Sequence, residues 1–453
     1  MKVVVIDDDP TGSQTVNNCL LLLKWDHPTL VRGFKSESNL FFILANTRSL
    51  SEEDAKLRIE EICYCIKKVI SSESYEEEDI IFVSRGDSTL RGHNFLEPNI
   101  INHFLGPFDA TFHIPAFFEG KRLTINGNHY VDSLPINQTI FAKDTIFGFE
   151  TSNIKNLLFQ KSKFQIKSSN IQNLKLSELE ILESRENNIV FKKLKALNKN
   201  THVVVDAVNY KQLEKFSLAI RKLRKQKKFL FRTAASFISS ISNIKDNNVK
   251  PLFCSHLRRK NCQSKYLPGL IVVGSYVKLT TLQLNRILDI NLCKPIKLDV
   301  FEFHEIIKSD NNKDKLNNFK NILLKEIRSH QKIGNTPVLF TSREVFNLED
   351  NKNQIDFYNS LANFISELVA DLKNEIGYLI SKGGITTNII LSSGLQADYV
   401  FLRGQILKGI SLVTLDLGKN EMLPIVTFPG NIGDEESLVK VWGILENQIN
   451  CSD

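Results

Sequence analysis

Three consecutive aspartates stand near the start of the sequence, directly after a short apolar run. Residues 2–6 predict a first β-strand, and the letters D-D-D-P-T-G follow at positions 7–12. Adjacent carboxylates repel one another and raise one another's pKa, so a purely structural role for all of them is unfavourable. An Asx-type turn that caps a helix would explain one of them. Because ligands bind at the C-terminal edge of parallel sheets, this acidic loop is one side of a candidate site.

A second polar loop follows a later predicted strand, with the letters S-R-G-D-S-T-L-R-G-H at positions 84–93. Arginine forks suit bidentate binding of a carboxylate, hydroxyl groups can contact further substrate oxygens, and glycine permits close approach to the backbone. A surface ion pair within the loop would contribute little energy and would not explain this density of polar groups. Arg48 follows another predicted strand and is expected at the same edge. The candidate contacts from the loop itself are Gly86, Asp87, Ser88, Thr89 and Arg91.

Glycine-bearing loops end several apolar runs in the second half of the sequence. Their letters are V-G-S at 273–275, S-K-G-G-I-T-T at 381–387 and F-P-G-N-I-G-D at 428–434. The last two lead into predicted helices, and backbone N–H groups at a helix N-terminus can bind phosphate. Neither G-x-x-x-x-G-K-[ST] nor a complete G-x-G-x-x-G occurs, which excludes a P-loop and a standard dinucleotide-binding fold.

Short β-rich apolar runs alternate with helical stretches, a pattern typical of mostly parallel sheets covered by helices. The predicted helices of the first half are Glu52–Ile70, with Ser51 and Asp54 as its capping pair, and Lys211–Arg224. The letters N-G-N at 126–128 predict a hairpin. The predicted strands of this half are Lys2–Ile6, Phe41–Asn46, Ile80–Ser84, Thr111–Pro115, His202–Asp206 and Phe229–Arg232.

A fresh series of elements begins at residue 269. The predicted strands are Gly269–Gly274, Ile296–Val300, Val338–Thr341, Gly377–Ser381, Val400–Gln405, Leu412–Leu417 and Ile425–Phe428, and the predicted helices are Leu279–Ile290, Lys315–Ser329, Ile355–Lys373 and Glu435–Gln448. The polar, basic segment Asn243–Pro268 shows no period and contains two prolines. We therefore predict two α/β domains, 1–243 and 269–453, each a mostly parallel sheet covered by helices. Residues 244–268 would link them, with the active site in the cleft between them.

The composition is that of a globular protein, with 42% hydrophobic and 24% charged residues among 453. No run approaches 18 apolar residues, so a membrane partner is not expected. The start of the chain is too short and too acidic for a signal peptide, and we expect a cytoplasmic protein. The net charge of +7 comes from Lys/Asn-rich stretches such as 161–199, without regularly spaced aromatic residues. This pattern suits small anionic substrates and predicts no nucleic-acid partner.

The seven cysteines are scattered along the chain and form no C-x-x-C pair. An odd number without paired spacing argues against a disulfide framework and against a zinc site. We therefore expect reduced thiols and predict no metal-ligating side chains.

Three segments occur in a fixed order: D-D-P-T-G, then R-G-D-S-T-L-R-G-H, then P-A-F-F-E-G-K-R-L-T-I-N-G-N-H-Y-V. In this order and spacing they resemble the four-carbon acid sugar kinase family, whose members phosphorylate threonate, erythronate or 3-oxo-tetronate with ATP. The resemblance extends from residue 3 to about residue 440. It implies that the N-terminal domain holds the sugar acid and that the C-terminal domain holds the nucleotide.

The resemblance also implies functions for individual residues. Contacts with the sugar acid are expected from Asp8 or Asp9, from Arg48, and from the Gly86–Thr89 stretch with Arg91. Contacts with ATP are expected from Ser275, Gly383, Gly384, Thr386, Gly430, Asn431 and Gly433. The implied partners are a sugar acid and ATP with Mg²⁺, and a homodimer is one expected assembly.

Phosphoryl transfer depends on positioning and charge neutralisation more than on covalent chemistry. The hypothesis is that the acidic loop orients or deprotonates the attacking hydroxyl group, with Asp8, Asp9 and Asp87 all open as the base and Thr11 as a further substrate contact. Many relatives carry a lysine before the final glycine loop, whereas this chain has T-F-P-G-N at 427–431. Lys382 is the candidate for a replacement cation.

Two other classes of function remain open from the sequence. The D-x-D-x-T spacing at 7–11 fits the nucleophile motif of haloacid-dehalogenase-like phosphatases, in which a carboxylate is phosphorylated. Those enzymes also need a downstream lysine and an acidic pair. In this chain the segment G-D-x-x-x at 86–90 is followed by Arg91, where the motif would have an acidic residue. The missing final-loop lysine favours the second alternative, a non-catalytic ligand-binding or regulatory relative of the kinases.

Overall fold

The structure is a computed structural model, and it describes residues 1–10, 15–243, 251–343, 351–418 and 421–448. The chain forms two compact units, residues 1–247 and 248–453. Each unit is an α/β fold built on its own run of neighbouring strands. Thr11, a predicted substrate contact, lies outside the described residues.

In the first unit, eight strands lie side by side in the order β2-β3-β1-β4-β11-β5-β10-β9, and all their pairings are parallel. Val4 of β1 pairs with Phe41 on one side and with Phe82 on the other, and all three side chains are buried. Burial on both faces is expected of a parallel sheet covered by helices. The strands of this unit are β1 (Lys2–Asp7), β2 (Cys19–Leu22), β3 (Leu40–Leu44), β4 (Ile80–Arg85), β5 (Ala110–Ile114), β6 (Arg122–Ile125), β7 (Asn128–Val131), β8 (Leu134–Pro135), β9 (Ile171–Leu174), β10 (Thr201–Val205) and β11 (Phe229–Thr233).

The helices of the first unit cover this sheet. The long helix α2 begins where predicted, because the side chain of Ser51 accepts a hydrogen bond from the backbone N–H of Asp54 at 3.1 Å. The helices are α1 (His27–Lys35), α2 (Glu52–Ser72), α3 (Leu96–Leu105), α4 (Ile154–Lys161), α5 (Leu176–Ile181), α6 (Ile189–Ala196), α7 (Tyr210–Leu223) and α8 (Ala235–Ser242).

A small antiparallel sheet, β6-β7-β8, stands apart from the large one. The predicted hairpin is confirmed: Asn126 and Gly127 join β6 to β7 with φ angles of 51° and 73°. The buried carboxylate of Asp206 accepts the backbone N–H groups of these two residues at 2.9 and 2.8 Å. The turn is therefore fixed to the carboxyl end of β10.

In the second unit, seven strands lie in the order β13-β14-β12-β15-β18-β17-β16. The first five are parallel, and β17 runs antiparallel to both of its neighbours, β16 and β18. The prediction of a mostly parallel sheet is thus confirmed, with an antiparallel edge. The strands are β12 (Gly269–Val273), β13 (Cys293–Leu298), β14 (Thr336–Thr341), β15 (Tyr378–Lys382), β16 (Tyr399–Leu407), β17 (Ile410–Asp416) and β18 (Met422–Phe428).

The predicted strand Ile296–Val300 runs too far at its C-terminal end. The side chain of Asp299 accepts hydrogen bonds from the backbone N–H groups of Phe301 and Glu302 at 3.0 and 3.2 Å, so a helix begins at Val300. The helices of the second unit are α9 (Pro251–His256), α10 (Lys278–Leu288), α11 (Val300–Lys308), α12 (Asn312–Lys332), α13 (Asn351–Leu372), α14 (Gly384–Ile389) and α15 (Ser437–Leu445).

Helix α9 lies inside the segment predicted as a linker. Its Cys254 is fully buried and belongs to the same apolar cluster as Tyr378 and Trp442. This part of the segment therefore packs as part of the second unit. A search of the described residues finds no helix with the length and hydropathy that a bilayer span requires.

Candidate active site

The acidic loop and the basic loop of the first unit are neighbours because their strands are neighbours. Asp7, the last residue of β1, pairs in register with Arg85, the last residue of β4. The chain continues from each strand into its loop at the same edge of the sheet. Strand β3 ends on the other side of β1, and a 3₁₀ turn at Thr47–Ser49 places Arg48 at this edge. Three sequence-distant loops are thereby brought together.

Asp8 lies at the centre of the arginine residues. Its carboxylate is fully buried, and Oδ1 lies 2.6 Å from Arg48 Nη2 and 3.3 Å from Arg85 Nη1. The other oxygen, Oδ2, lies 3.8 Å from Arg232 Nη2. Three guanidinium groups therefore surround this carboxylate, and its oxygens are already engaged.

Arg48 connects the carboxylates that the sequence singled out. Besides Asp8, its Nη1 atom lies 3.1 Å from Asp9 Oδ2 and 3.8 Å from Asp87 Oδ2. The side chain of Asp9 is 23% exposed, compared with 9% for Asp87 and none for Asp8. The structure thus brings all three predicted catalytic carboxylates to one arginine, with Asp9 the most accessible to a substrate.

Asp87 is held by its own loop. Its oxygens accept hydrogen bonds from the backbone N–H and the hydroxyl group of Thr89, at 3.1 and 2.5 Å, and from Arg91 Nε at 2.8 Å. Burial opposes ionisation, but Arg48, Arg91 and the two bonds from Thr89 outweigh it and hold the pKa of Asp87 well below its usual range. Asp87 is therefore an ionised anchor for Arg91 and Thr89, two of the predicted substrate contacts.

Asp7 is a further titratable group of this edge, which the sequence analysis considered only within the phosphatase motif. Burial raises its pKa to about 7, because Arg85 at 3.3 Å only partly offsets the loss of water and because Asp8 and Asp9 add like charge. Its Oδ2 atom is buried and has no hydrogen-bond partner among the described residues. A carboxyl group so placed gains or loses its proton near neutral pH.

Arg232 and Glu97 are further members of the site that the sequence analysis missed. Arg232 Nη1 lies 2.6 Å from Glu97 Oε2 and donates to Ser84 Oγ at 2.8 Å, and both charged side chains are buried. We expected a ligand to approach the backbone at Gly86. In the structure the guanidinium group of Arg232 occupies that side, and a Cβ at Gly86 would lie 2.5 Å from its Cζ. A glycine is therefore required at position 86 because the Arg232 side chain fills the space that a Cβ would occupy.

Ser88 connects the basic loop to the small sheet. Its hydroxyl oxygen accepts a hydrogen bond from Arg122 Nη1 at 2.7 Å, and its backbone oxygen lies 2.8 Å from His129 Nε2. Burial lowers the pKa of His129 to about 4, so this imidazole is neutral and donates to the Ser88 carbonyl. The position of Ser88 is therefore fixed by two side chains from β6 and β7.

In the second unit, Ser275 and two glycine loops meet. A Cβ at Gly430 would overlap the hydroxyl group of Ser275, and a Cβ at Gly383 would lie 3.2 Å from the Ser275 backbone nitrogen. Gly383 also has a φ of 126°, a backbone conformation that favours glycine. Thr280 joins the same group, since its hydroxyl donates to the Gly430 carbonyl at 2.8 Å. The structure brings together the serine turn and both glycine loops predicted from the sequence.

The remaining predicted nucleotide contacts extend this group. Thr386 lies against the V-G-S turn, because a Cβ at Gly274 would overlap its hydroxyl group. Gly384 is the first residue of α14. Gly433, with a φ of 88°, lies against Ser437 at the start of α15, and Asn431 is exposed at the tip of its loop. These loops offer glycine backbone and hydroxyl groups, which suit phosphate oxygens.

Two cations lie at these loops. Lys382 is fully buried; its Nζ atom donates to the Pro429 carbonyl at 2.9 Å and lies 3.7 Å from the centre of the Phe428 ring. Burial lowers its pKa to about 7. Arg343, which the sequence analysis missed, donates from Nη1 to the Ser275 carbonyl at 2.7 Å. Lys382, the predicted replacement cation, therefore contacts the final glycine loop from a buried position.

These features describe an α/β protein with a cluster of carboxylates and arginines in one unit and a group of adjoining glycine loops in the other. Residues 3–241 match a family model described as a sugar-binding N-terminal domain, and residues 270–438 match one described as a nucleotide-binding C-terminal domain. The chain belongs to the four-carbon acid sugar kinase family, which its sequence motifs predicted.

The chain is also similar to individual proteins. The chain is 21% identical to a D-erythronate kinase from Heliobacterium modesticaldum, over 96% of this chain and 95% of the relative. A solved Salmonella typhimurium structure described as a tRNA synthase matches with a TM-score of 0.71 at 14% identity, over 97% of this chain and 98% of that one. A Haemophilus influenzae structure matches with a TM-score of 0.64 at 16% identity, over 98% and 100%. At these identities the two solved structures support the fold alone.

Proposed function

We propose that this protein is an ATP-dependent kinase that phosphorylates a hydroxyl group of a four-carbon acid sugar, a tetronate or 3-oxo-tetronate. The observation that carries the proposal is the convergence of Asp8, Asp9 and Asp87 on Arg48 at the carboxyl edge of the sugar-binding domain. Such a site offers carboxylates to hydroxyl groups and guanidinium groups to a carboxylate. The name of the Heliobacterium relative supports the same substrate class.

Among the three carboxylates we assign the general base to Asp9. A base must come within hydrogen-bond reach of the hydroxyl group that it deprotonates. Asp8 is surrounded by guanidinium groups and Asp87 is bound to its own loop, whereas Asp9 has the largest exposed fraction, 23%. Asp8 would then fix Arg48, and Asp87 would fix Thr89 and Arg91 as positioning residues for the sugar acid.

The loops of the second unit are proposed to bind the phosphates of ATP. Ser275, Gly383, Thr386 and Gly430 converge there, and backbone N–H groups of such loops bind phosphate oxygens well. The described residues contain no group of three or more histidine, cysteine or acidic side chains that could hold a metal ion. Mg²⁺ in such enzymes is usually held by substrate phosphates and water with few protein ligands. The hydroxyl groups of Ser275 and Thr280, which lie 3.2 Å apart, would be its candidate protein ligands here. Bound Mg²⁺ would neutralise charge on the terminal phosphates.

Lys382 is proposed to supply the cation that many relatives place before the final glycine loop. Its Nζ atom contacts the Pro429 carbonyl, directly before Gly430. The ammonium group has no carboxylate within 4.0 Å among the described residues, so a phosphate bound at the final glycine loop would be its nearest counter-charge, acting through the Pro429–Gly430 backbone. This position argues for a working kinase over a ligand-binding relative that has lost catalysis.

The phosphatase alternative is less consistent with the geometry. In the D-x-D-x-T pattern the nucleophile would be Asp7, which is 1% exposed and whose pKa is raised to about 7. A buried carboxyl group that is partly protonated at neutral pH is a poor nucleophile.

The test is turnover with a panel of threonate, erythronate and 3-oxo-tetronate stereoisomers, with ADP and the phosphorylated acid both measured. We expect equimolar ADP and phospho-acid with at least one member of the panel. Tight ATP binding without ADP formation would instead indicate the non-catalytic relative. Hydrolysis of a generic phosphate ester without an acceptor would indicate the phosphatase.

A further inference from the structure

Most arginines around the acidic loop are bound to carboxylates of the protein itself. Each of these pairs has a nitrogen and an oxygen within 3.3 Å, and the pairs are Arg48–Asp8, Arg85–Asp7, Arg91–Asp87 and Arg232–Glu97. A guanidinium group that already has an internal counter-charge gains little from a further anion. These arginines therefore shape the site more than they select an anionic ligand.

Arg122, the first residue of β6, differs from the other arginines of the site. Among the described residues no carboxylate oxygen lies within 4.0 Å of its guanidinium group. Its guanidinium group donates to a neutral partner, from Nη1 to the Ser88 hydroxyl oxygen at 2.7 Å. Its Nε atom is buried and has no hydrogen-bond partner in the part of the chain that the structure describes. Among the described residues this cation therefore has no carboxylate in direct contact, and the carboxylates of Asp87 and Asp132 act on it only from farther away.

Aromatic rings enclose this cation. Its Cζ atom lies 5.5 Å from the centre of the Phe117 ring and 5.9 Å from the centre of the Phe141 ring. Burial lowers the pKa of Arg122, with Arg91 and Arg85 adding like charge, and the carboxylates of Asp87 and Asp132 offset this only in part. In such surroundings the attraction between this cation and an anion is stronger than in water.

Arg122 also adjoins the loop that is proposed to hold the sugar acid. Ser88, its hydrogen-bond partner, lies between Asp87 and Thr89 in that loop. The Phe141 ring that covers Arg122 lies 5.4 Å from the Cζ atom of Arg91 as well. An anion at Arg122 would therefore lie beside the hydroxyl and carboxylate groups of the basic loop.

We propose that Arg122 binds the carboxylate of the sugar acid and makes the site select acids over uncharged sugar alcohols. The inference rests on the proposed function and adds a specificity residue to it. A planar, bidentate donor with a free edge matches a carboxylate in both charge and shape. The hydroxyl-bearing carbons of the substrate would then extend from Arg122 towards the acidic loop.

The test compares the wild-type full-length chain with Arg122→Met, Arg122→Lys and the neighbouring control Lys121→Met. Lys121 is exposed and pairs with Asp132 at 3.3 Å, so its loss leaves the site intact. Binding of erythronate, threonate, glycolate and the neutral erythritol is measured by calorimetry and by thermal shift, without ATP. We expect Arg122→Met to weaken binding of the three acids by about 10- to 100-fold and to leave erythritol unchanged. Arg122→Lys should recover part of the loss, and Lys121→Met should match the wild type.

Steady-state kinetics complete the test. In Arg122→Met the KM for the sugar acid should rise while kcat at saturation stays within about threefold, because the lost contact is made equally in the ground and transition states. Unchanged acid binding in a folded Arg122→Met protein, with a wild-type thermal shift by ATP, would overturn the inference. So would a wild type that binds none of the acids.

The same measurements separate the two proposals. If the wild type binds the acids through Arg122 but forms no ADP, the kinase proposal fails and the carboxylate site stands. If tetronates are phosphorylated with a KM that Arg122→Met does not change, the kinase proposal stands and the carboxylate site is wrong.

Discussion

The guanidinium group of Arg232 occupies the space that any side chain at Gly86 would need, with Cζ 2.5 Å from the position of a Cβ. The same arginine contacts Glu97 and approaches Asp8. A glycine in the basic loop and a buried arginine on a distant strand thus depend on each other. The acidic loop receives part of its charge balance through this packing.

Gly86→Ala should therefore displace Arg232 and destabilise the protein by about 1–3 kcal/mol, the usual cost of overpacking a filled interior. Urea unfolding gives the free energy of unfolding. The matched background is Arg232→Lys, which removes the planar group beside Gly86 but keeps a positive charge for Glu97. In the Arg232→Lys background, Gly86→Ala should lower the free energy of unfolding by less than it does in the wild type, as expected for two residues in contact. An equal cost in both backgrounds would show that the two positions are independent.

Asp9→Asn should lower kcat by about 10²- to 10⁴-fold while the KM for the sugar acid changes little, because a general base contributes mainly to the chemical step. Asp87→Asn should act mainly on KM, since it releases Arg91 and Thr89 from their anchor. Asp132→Asn is the control, an exposed aspartate of the same unit. Wild-type kcat in Asp9→Asn would remove Asp9 from the mechanism.

Asp7 should make stability depend on pH. Its pKa is about 7 in the folded protein and near 4 when unfolded, so the folded state binds the extra proton between these values. The contribution of Asp7 to the free energy of unfolding is therefore fully present below about pH 4, and it is lost as the pH rises through about 7. Asp7→Asn should therefore be more stable than the wild type at pH 8, and the difference should shrink towards pH 4. Urea unfolding at several pH values measures this difference in stability. A difference that does not change with pH would contradict the raised pKa of Asp7.

Lys382 should make ATP binding depend on pH. Its pKa of about 7 means that the ammonium group loses its charge as pH rises through neutrality, so ATP affinity should fall over the same range. Lys382→Met should bind ATP weakly at every pH between 6 and 9, a range set by the lysine's pKa near 7. Lys308→Met, an exposed position on α11, is the control and should follow the wild-type curve. A wild-type pH profile in Lys382→Met would exclude Lys382 as a phosphate ligand.

The meeting of the acidic and basic loops could be predicted from the sequence. Both follow apolar strands, and the carboxyl ends of neighbouring parallel strands share one edge. The predicted strands of both units are present, but two predicted ends lie too far along the chain. A side-chain cap stops β13 before Val300, and β3 ends at Leu44 because Asn46 has a left-handed backbone, with a φ of 51°. Strand β2 and the short strands β8 and β9 were missed because two to four residues carry little periodic signal.

The partners of Asp8 could be predicted only in part. Arg48 lies at the end of a predicted strand and was selected, but Glu97 lies on α3, which the sequence analysis did not predict. Arg232 does carry a signal, since a charged residue ends an otherwise apolar strand, but its contacts are set by tertiary packing. The burial of Lys382 has the same origin, and no local spacing encodes it.

Helix α9 has a consequence for where the second unit can be cut from the chain. The nucleotide-binding family model begins at residue 270, beyond this helix. Yet Cys254 packs among apolar residues of the second unit, Arg258 pairs with Glu446, and Arg259 lies 2.6 Å from Glu421. A fragment begun at the homology boundary would lose these contacts and expose an apolar surface. A fragment that keeps these contacts must therefore start about twenty residues before the domain that the family model matches, at or before Pro251.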